Sequence, residues 1–324
     1  MKLSIVIPIY NAGKYINRLL EPVLKSGFND FEIICVNDGS KDNSLEVLRS
    51  IDDKRLRVFT KENEGTFKTW QYGVRQTVGD YITFFDQDDY IDGDYLPFIY
   101  RFINEINADV LQTPYRIHKL TGQTIEQRLP LEDGLYVDEK LEKARKFLTT
   151  GRTQYAKFTK VIRRELLFKQ MENTVGNEVL DKVKDFEDWV TMIEVFKVAD
   201  SLYIYNHCFY NYIQYPNSVS KSTISYRKNY GCFLAMMDYL ESSKFSNLSQ
   251  QELTSIGFFG SKVMLNKAIK IKEFSLAKEI MRSDFFSNGL KVADINKLLK
   301  IVFSLKSPHL YYLCYILCTN KLNN

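Results

Sequence analysis

Short apolar segments alternate with amphipathic segments over the first 115 residues of the chain. The apolar segments have the length and composition of strands and cover residues 3–9, 31–36, 55–60, 81–85 and 109–115. Between them, apolar residues recur at helical spacing over 14–25, 43–51, 66–77 and 94–105. Because the two types alternate at intervals of roughly 25 residues, we predict right-handed βαβ units and a mostly parallel sheet flanked by helices.

This alternation of strand and helix patterns becomes less regular between residues 116 and 221. The polar segment 116–133 predicts a hairpin or a mobile loop, and residues 155–168 predict an extended segment that ends in a short helix. Further helices are predicted over 138–149 and 186–196, and further strands over 201–205 and 208–212. From about residue 222 onward only helical patterns occur, over 226–240, 249–271, 273–281, 292–304 and 310–319. We therefore predict an α/β domain over 1–221 and an all-helical C-terminal region over 222–324.

Composition and charge narrow the class of protein. Of the 324 residues, 45% are hydrophobic and 26% are charged, as in soluble globular proteins. The net charge of +4 is too small to argue for a nucleic-acid partner. Five scattered cysteines without a C-x-x-C pattern fit a reducing cytoplasm. The apolar start of the chain is stopped by Pro8 and predicts a strand rather than a signal peptide, and no apolar run approaches the ~20 residues of a membrane span.

The segment Asp86-Gln87-Asp88-Asp89 directly follows the apolar residues 81–85. Ligands of open α/β sheets bind beyond the carboxyl ends of the strands. Asp86 and Asp88 are two residues apart, so near a strand end their side chains point the same way. Two carboxylates so placed suit Mg²⁺ or Mn²⁺. The alternative is an ordinary polar turn, since Asp is a common turn residue.

Similar polar motifs stand at the ends of the other early strands. They are Pro8-Ile9-Tyr10-Asn11, Val36-Asn37-Asp38-Gly39-Ser40 and Glu62-Asn63-Glu64-Gly65. Together with the Asp86 motif, and in this order, they resemble the family 2 glycosyltransferases, inverting enzymes of the GT-A fold. The resemblance covers residues 1 to about 220. The stretches 157–167 and 209–220 also resemble segments of capsule and cell-wall members of that family.

The resemblance implies roles on the donor side of a sugar-transfer site. Asp38 matches the acid that hydrogen-bonds the nucleotide base, and Pro8 and Tyr10, followed by Asn11, match the lip around that base. The alternatives are a helix cap for Asp38 and a plain strand-to-helix turn for the lip. Residues 1–115 would then form the nucleotide-sugar half of the domain, and residues 116–221 the acceptor half.

The same resemblance implies a different role for each acid of the segment 86–89. Asp86 matches the acid near the ribose, with Gln87 beside it, and Asp88 matches the ligand of a Mn²⁺ or Mg²⁺ ion that bridges to the donor diphosphate. Asp86 and His207 are further candidate ligands, although a lone histidine between strands is more often structural. Asp89 is either an acid behind the site or a cap for the following turn, and the cap is favoured.

Two positions depart from the family pattern. Trp70 stands where the family commonly has an arginine near the diphosphate, and it either packs against the base or lines the core. Lys68 or Lys61 would supply the missing positive charge, or the metal would carry more of the load, and a solvated helix face is the favoured alternative for Lys68. In the later segment, Ile213 replaces another arginine.

The general base is assigned to the segment around Glu187-Asp188, at the start of a predicted helix. An inverting transfer needs a group that takes the proton of the acceptor hydroxyl during attack. The family carries a Glu-Asp motif for this purpose, so Asp188 is the expected base and Glu187 the second candidate. Ordinary acidic enrichment in a first helical turn is the alternative explanation.

The resulting hypothesis is a metal-dependent inverting glycosyltransferase of bacterial cell-surface polysaccharide synthesis. It would use a nucleotide-sugar donor, most simply UDP-linked, and a glycan or lipid-linked acceptor. We expect a cytoplasmic protein whose apolar segment 310–318 packs on its own core, joins a homo-oligomer or touches the inner face of the membrane. A degenerate nucleotide-sugar-binding module is the non-catalytic alternative. A nucleotidyltransferase or a dinucleotide oxidoreductase would need a glycine-rich loop after the first strand, which this sequence lacks.

Overall fold

The structure is a computed structural model that describes residues 2–149, 155–174, 186–215, 226–242, 248–270, 274–284 and 288. The chain forms two compact units, Met1–Ser249 and Gln250–Asn324. The boundary predicted near residue 222 falls within the first of these units, ahead of one further helix.

The first part of the chain forms the predicted run of parallel strands and helices. Its elements are β1 (Leu3–Ile9), α1 (Ile16–Leu24), β2 (Phe31–Asp38), α2 (Ser44–Arg49), β3 (Leu56–Lys61), α3 (Thr66–Arg75) and β4 (Tyr81–Phe84). Strands β1 and β2 are buried on both faces, as their continuous apolar sequence predicts. Helix α3 packs closely on them, because a Cβ at Gly73 would lie 2.6 Å from Val6 Cγ1 and 3.3 Å from Val36 Cγ2.

The second part is more irregular. It begins with β5 (Tyr90–Ile91), α4 (Tyr95–Arg101), a π-helical turn (Phe102–Ile106), β6 (Val110–Gln112), β7 (Tyr115–His118), β8 (Thr124–Gln127), β9 (Gly134–Tyr136) and α5 (Asp138–Thr149). It continues with a 3₁₀ turn (Lys157–Thr159), β10 (Lys160–Arg163), α6 (Arg164–Thr174), α7 (Glu187–Val198), β11 (Leu202–Ile204), β12 (Tyr210–Ile213) and α8 (Tyr226–Ser242). Strands β7 and β8 pair antiparallel, which confirms the hairpin alternative for the polar segment.

The main sheet has eight strands in the order β3-β2-β1-β4-β10-β6-β11-β9. Strands β1, β2, β3 and β4 are parallel, whereas β10 lies antiparallel between β4 and β6. A second sheet has the order β5-β12-β7-β8. The predicted α/β fold is confirmed, and the antiparallel β10 has a consequence for function. Because β10 runs opposite to β4, the first residues of β10 lie at the edge of the sheet where β1, β2 and β4 end.

The described part of the second unit consists of two helices, α9 (Gln250–Lys270) and α10 (Phe274–Arg282). They pack against each other, with Ile256 and Ile280 among the buried residues. The helices predicted over 292–304 and 310–319 lie outside the described residues. In the part of the chain that the structure describes, no helix is long and apolar enough to cross a membrane.

Candidate functional site

Two neighbouring cavities open where β1, β2 and β4 end. The Asp38 cavity, of about 250 Å³, is lined by Pro8, Ile9, Tyr10, Asp38, Thr66, Thr69, Asp86, Gln87, Asp88 and Tyr212. The Asp188 cavity, of about 160 Å³, is lined by Pro8, Thr66, Trp70, Phe84, Asp86, Lys157, Phe158, Glu187 and Asp188. Pro8, Thr66 and Asp86 line both cavities. Most of the site residues predicted from the sequence therefore line two cavities that share part of their walls.

Asp38, the last residue of β2, is held by a turn and a lysine. Its Oδ1 accepts hydrogen bonds from Lys61 Nζ at 2.8 Å and from the Glu64 amide at 3.0 Å. Its Oδ2 accepts from the amide of Gly65 at 3.0 Å. Burial alone would raise the pKa of Asp38, but the hydrogen bonds from Lys61 and the Glu64 amide outweigh it and lower that pKa. Asp38 is thus an ionised acid at the cavity wall.

The alternative role of Asp38 as a cap for α2 is taken by another acid. Asp42 Oδ1 accepts from the Ser44 amide at 3.0 Å, and Asp42 Oδ2 accepts from the Gly13 amide at 3.1 Å. Asp42 therefore satisfies the start of α2 and ties it to the loop after β1. Asp38 remains directed to the turn before α3.

Gln87 and Asn11 fix the loops around the Asp38 cavity. Gln87 Oε1 accepts from the Tyr10 amide at 2.6 Å, and Gln87 Nε2 donates to the Tyr10 carbonyl at 3.0 Å. Asn11, which has a φ of 51°, donates its amide to Ser40 Oγ at 3.0 Å and accepts from the Lys41 amide at 2.8 Å. Both residues were predicted to bind the donor, and their contacts here position the backbone of the lip. The ring of Tyr10 is left 46% exposed.

Asp86 and Asp88 are carboxylates in a poorly solvated, negatively charged place. Burial raises the pKa of Asp86 to about 6, with Lys157 lowering it and Asp88 raising it further. Burial also raises the pKa of Asp88. The Asp88 carbonyl oxygen accepts hydrogen bonds from Arg18 Nη2 and from Tyr215 Oη, the latter at 3.3 Å. A divalent cation would relieve the repulsion between the two carboxylates.

The structure separates His207 from these acids. His207 Nε2 lies 3.9 Å from Asp94 Oδ2, and the two residues line another cavity, of about 850 Å³, together with Phe28, Phe98 and Tyr100. No group of three or more His, Cys, Asp or Glu side chains within the described residues is arranged to hold a metal ion. The placement of His207 gives no support to its role as a third ligand, and Asp88 and Asp86 stay the candidate ligands for Mg²⁺ or Mn²⁺.

Asp89 is a buried acid behind the site and does not cap the following turn. Its Oδ2 accepts from Tyr210 Oη at 2.8 Å, and its Oδ1 accepts from the Ile213 amide at 2.8 Å. The Tyr210 hydroxyl in turn accepts from the Asp86 amide at 2.9 Å. Burial, and then repulsion from Asp86, raises the pKa of Asp89 well above its usual range. The favoured prediction of a turn cap is wrong, because Asp89 points inward and links the acidic motif to β12.

Asp188 and Glu187 occupy the first turn of α7, as predicted. The ammonium of Lys157 is ion-paired with Asp188 Oδ1, and the Lys157 amide lies 3.4 Å from Asp188 Oδ2. Burial lowers the pKa of Lys157, while attraction to Glu187 and Asp86 opposes that shift. Asp188, Glu187 and Asp86 thus surround one buried ammonium group.

Lys157 was not identified from the sequence. It stands in the 3₁₀ turn just before β10, and its place at the site follows from the antiparallel direction of that strand. Beyond the resemblance of the stretch 157–167 to family segments, the one available signal was a lysine followed by Phe158, a few residues before a strand. That signal is common in exposed turns and does not by itself distinguish a buried ammonium.

Neither Trp70 nor Lys68 takes the position expected of a phosphate-binding arginine in the family pattern. Trp70 is fully buried between Phe67 and Phe84 and lines the Asp188 cavity, with the Lys157 ammonium 4.9 Å from its ring centroid. The Lys68 side chain is half exposed, with its ammonium 4.0 Å from Glu64 Oε1. Lys68 is not among the residues lining the two cavities, so its predicted donor contact needs a movement of the side chain. Lys61, the other candidate, is paired with Asp38 and Glu64.

Comparison with known proteins identifies the family to which this chain belongs. Residues 4–170, more than half of the chain, match the family model described as "Glycosyl transferase family 2". The chain is similar to glycosyltransferase GlyG of Streptococcus pneumoniae serotype 4, with 38% identity over 112 residues, 34% of this chain and 37% of GlyG. It is also similar to the poly(ribitol-phosphate) beta-N-acetylglucosaminyltransferase TarS of Staphylococcus aureus, with 35% identity over 116 residues, 34% of this chain and 20% of TarS. The chain thus spans little more than a third of GlyG and a fifth of TarS.

Solved structures share the fold. The crystal structure of S. aureus TarS 1-349 in complex with UDP-GlcNAc superposes with a TM-score of 0.64 and 22% sequence identity. The superposition covers 90% of this chain and 80% of that one. The GT-A architecture expected from the sequence is therefore confirmed for this chain.

Proposed function

Since this chain belongs to glycosyl transferase family 2, we propose that it transfers a sugar, with inversion, from a UDP-sugar to a hydroxyl group of a glycan or lipid-linked acceptor. One observation carries the proposal above all. Asp86 lines both the Asp38 cavity and the Asp188 cavity, so the acid expected to bind the nucleotide and the candidate base line cavities on either side of one shared residue. A donor lying across Asp86 would present its anomeric carbon between the two.

On the donor side, the Asp38 cavity supplies the nucleoside contacts. The ionised Asp38 accepts the N–H of a uracil ring, and Pro8 and Tyr10 flank that ring. The Lys61 and amide contacts of Asp38 keep its carboxylate fixed before the donor arrives. Asp86, next along the wall, lies near the ribose. The complex of TarS with UDP-GlcNAc, in a chain of the same fold, supports this choice of donor class.

Asp88, with Asp86, would hold Mg²⁺ or Mn²⁺. Their carboxylates are hard oxygen ligands, and burial raises the pKa of both, so a cation beside them would stabilise their charged forms. When bound, the ion supplies charge neutralisation for the departing nucleoside diphosphate. The protein's own part is to hold these carboxylates in place through Tyr210, which binds the Asp86 amide, and Arg18, which binds the Asp88 carbonyl.

Asp188 is the proposed general base. The acceptor oxygen attacks the anomeric carbon from the side opposite the diphosphate, the bond from that carbon to the phosphate oxygen breaks, and the acceptor proton passes to an Asp188 oxygen. The leaving group departs as the nucleoside diphosphate with the electron pair of the broken bond. Glu187, in the same helical turn and lining the same cavity, is the second candidate.

The acceptor is proposed to be a surface polymer or its lipid-linked precursor. TarS, whose name assigns it a poly(ribitol-phosphate) acceptor, supports this class by similarity. A second candidate function is a nucleotide-sugar-binding module without transferase activity. Trp70 in place of the arginine of the family pattern favours that candidate, and the assembly of Asp38, Asp86, Asp88 and Asp188 around two cavities that share part of their walls favours the enzyme.

The test is sugar release or transfer from a panel of UDP-, GDP- and dTDP-sugars, with and without Mn²⁺. We expect activity with a UDP-sugar that depends on the ion. Asp188→Asn should abolish transfer with donor binding retained, and Asp88→Asn should weaken ion-dependent donor binding. Wild-type transfer by Asp188→Asn would contradict the base assignment. Donor binding without turnover across the panel, with suitable acceptors supplied, would favour the binding module.

A further inference from the structure

Lys157 holds the proposed base in an ion pair. Its ammonium is paired with Asp188 Oδ1, and its own amide approaches Asp188 Oδ2. The lysine side chain is 9% exposed, whereas that of Asp188 is 33% exposed. An oxygen that receives an ammonium proton has a lone pair engaged and is a weaker base. In this arrangement Asp188 is a weaker base for as long as the Lys157 ammonium stays paired with it.

A bound donor would add a partner for the Lys157 ammonium to those that the protein itself supplies. Asp38, Asp86, Asp88, Glu187 and Asp188 line their walls, and a diphosphate would bring further negative charge beside them. Two other cations that approach these acids are engaged: Lys61 binds Asp38 and Glu64, and Arg18 binds the Asp88 carbonyl.

The Lys157 ammonium has two further contacts besides its pair with Asp188. It is attracted to Asp86, which lines both cavities, and it lies over the ring of Trp70 at 4.9 Å from the centroid. The π face of an indole stabilises a cation at any nearby position above the ring. Trp70, itself in contact with Phe67 and Phe84, therefore offers a surface that the ammonium would still contact if it turned from Asp188 towards Asp86.

We propose that Lys157 is a positioning residue that exchanges partners on donor binding, leaving Asp188 for a phosphate oxygen of the donor. The exchange frees the base when the donor is in place. No covalent bond changes in this step, and only the ion pair is replaced. The inference rests on the proposed function, because it needs a nucleoside diphosphate in the Asp38 cavity.

The experiment compares the affinity of the full chain for UDP and for uridine, which lacks phosphates, by calorimetry in Mg²⁺ buffer. Lys157→Met should weaken UDP binding about 10-fold or more and leave uridine binding within about 2-fold. Lys157→Arg, which keeps the charge, should stay within about 3-fold of wild type for UDP. Lys160→Met is the matched control, because Lys160 is a buried lysine of the same segment that lines neither cavity.

The exchange itself is tested by a double-mutant cycle. Asp188→Asn releases the ammonium from its competing carboxylate, so it should tighten UDP binding about 3- to 10-fold. In the Lys157→Met background the same substitution should give no gain. An equal gain in both backgrounds would reveal simple repulsion between Asp188 and phosphate and would overturn the proposal, as would unchanged affinity in every single variant.

The outcomes also separate this inference from the proposed function. Wild-type protein that binds none of UDP, GDP and dTDP would overturn both. Wild-type protein that binds UDP, with Lys157→Met and Asp188→Asn behaving like wild type, would overturn only the exchange. If Lys157→Met fails to fold, Lys157→Arg and Asp188→Asn decide the question, because an exchange requires the latter to tighten UDP binding.

Discussion

At the scale of single residues, the acids of the site differ in what neutralises them. Asp38 has a lysine and two amides, and its pKa is lowered. Asp86 and Asp88 are half-buried beside each other, and their pKa values are raised. We therefore expect Asp38 to accept a hydrogen bond from the nucleotide base of a donor, and Asp86 and Asp88 to bind a cation.

Asp86→Asn should change stability in a pH-dependent way. The pKa of Asp86 is about 6 in the folded protein and about 3.8 when unfolded, so the folded state retains the proton more tightly. The wild-type stability contribution therefore falls as pH rises from about 4 to about 6, and the asparagine variant lacks this fall. In metal-free buffer we expect Asp86→Asn to be more stable than wild type at pH 7.5, by on the order of 2 kcal/mol, and nearly equal at pH 4.

Urea denaturation at the two pH values measures this difference. Asp52→Asn, at an exposed position, serves as the control and should show no such pH dependence. A stability difference of the same size at both pH values would contradict the electrostatic explanation.

Tyr210→Phe tests the link between the acidic motif and β12. The Tyr210 hydroxyl bridges the Asp89 carboxyl and the Asp86 amide, and its ring stacks on Phe158 at 4.2 Å between centroids. Removing the hydroxyl leaves both buried groups short of a partner, which should cost about 1–3 kcal/mol of unfolding free energy. Donor affinity should fall as well, because Asp86 loses its support. Tyr100→Phe, at an exposed ring, is the control.

At the scale of elements, the turn before α3 builds the Asp38 cavity. Gly65 has a φ of 90° and donates its amide to Asp38. A side chain disfavours that conformation, and the strain is of order 1–3 kcal/mol. The turn therefore depends on glycine for its shape, and Asp38 depends on the turn for the hydrogen bonds that hold its carboxylate.

Gly65→Ala should lower both stability and affinity for UDP. Gly27 also has a positive φ, of 73°, with open space where a Cβ would lie, and it lines neither the Asp38 cavity nor the Asp188 cavity. Gly27→Ala should therefore lower stability alone, which separates backbone strain from damage to the site. Thermal unfolding and calorimetry with UDP distinguish the two. Loss of UDP affinity in both variants, or in neither, would contradict this role of the turn.

Local pattern explains which elements the sequence predicts. The strands from β1 to β4 and the helices between them have clear periods, and the predicted bounds agree with the observed ones within a few residues. The direction of β10 has no local signal, because antiparallel pairing with β4 joins residues about 80 positions apart. The place of Lys157 depends on that pairing. Likewise, whether Asp89 faces a turn or Tyr210 is decided by β12, more than 120 residues later.

At the scale of the whole molecule, a bound donor should stabilise the folded chain. A ligand at 100 times its dissociation constant adds about 2.7 kcal/mol to the unfolding free energy. We expect UDP with Mg²⁺ to raise the melting temperature measurably, and Asp38→Asn to reduce that rise at the same UDP concentration. Differential scanning fluorimetry measures both. An equal rise in wild type and in Asp38→Asn would contradict the assignment of the base-binding acid.

The antiparallel β10 also bears on how the chain is made. On the ribosome, β4 is complete at Phe84, but the strand that covers its free edge begins only at Lys160. At ordinary rates of synthesis the gap lasts about 4–15 seconds, during which an apolar strand edge stays open. Open edges template pairing with other chains. Nascent chains, and any fragment that stops before β10, should therefore be prone to aggregate until that strand arrives.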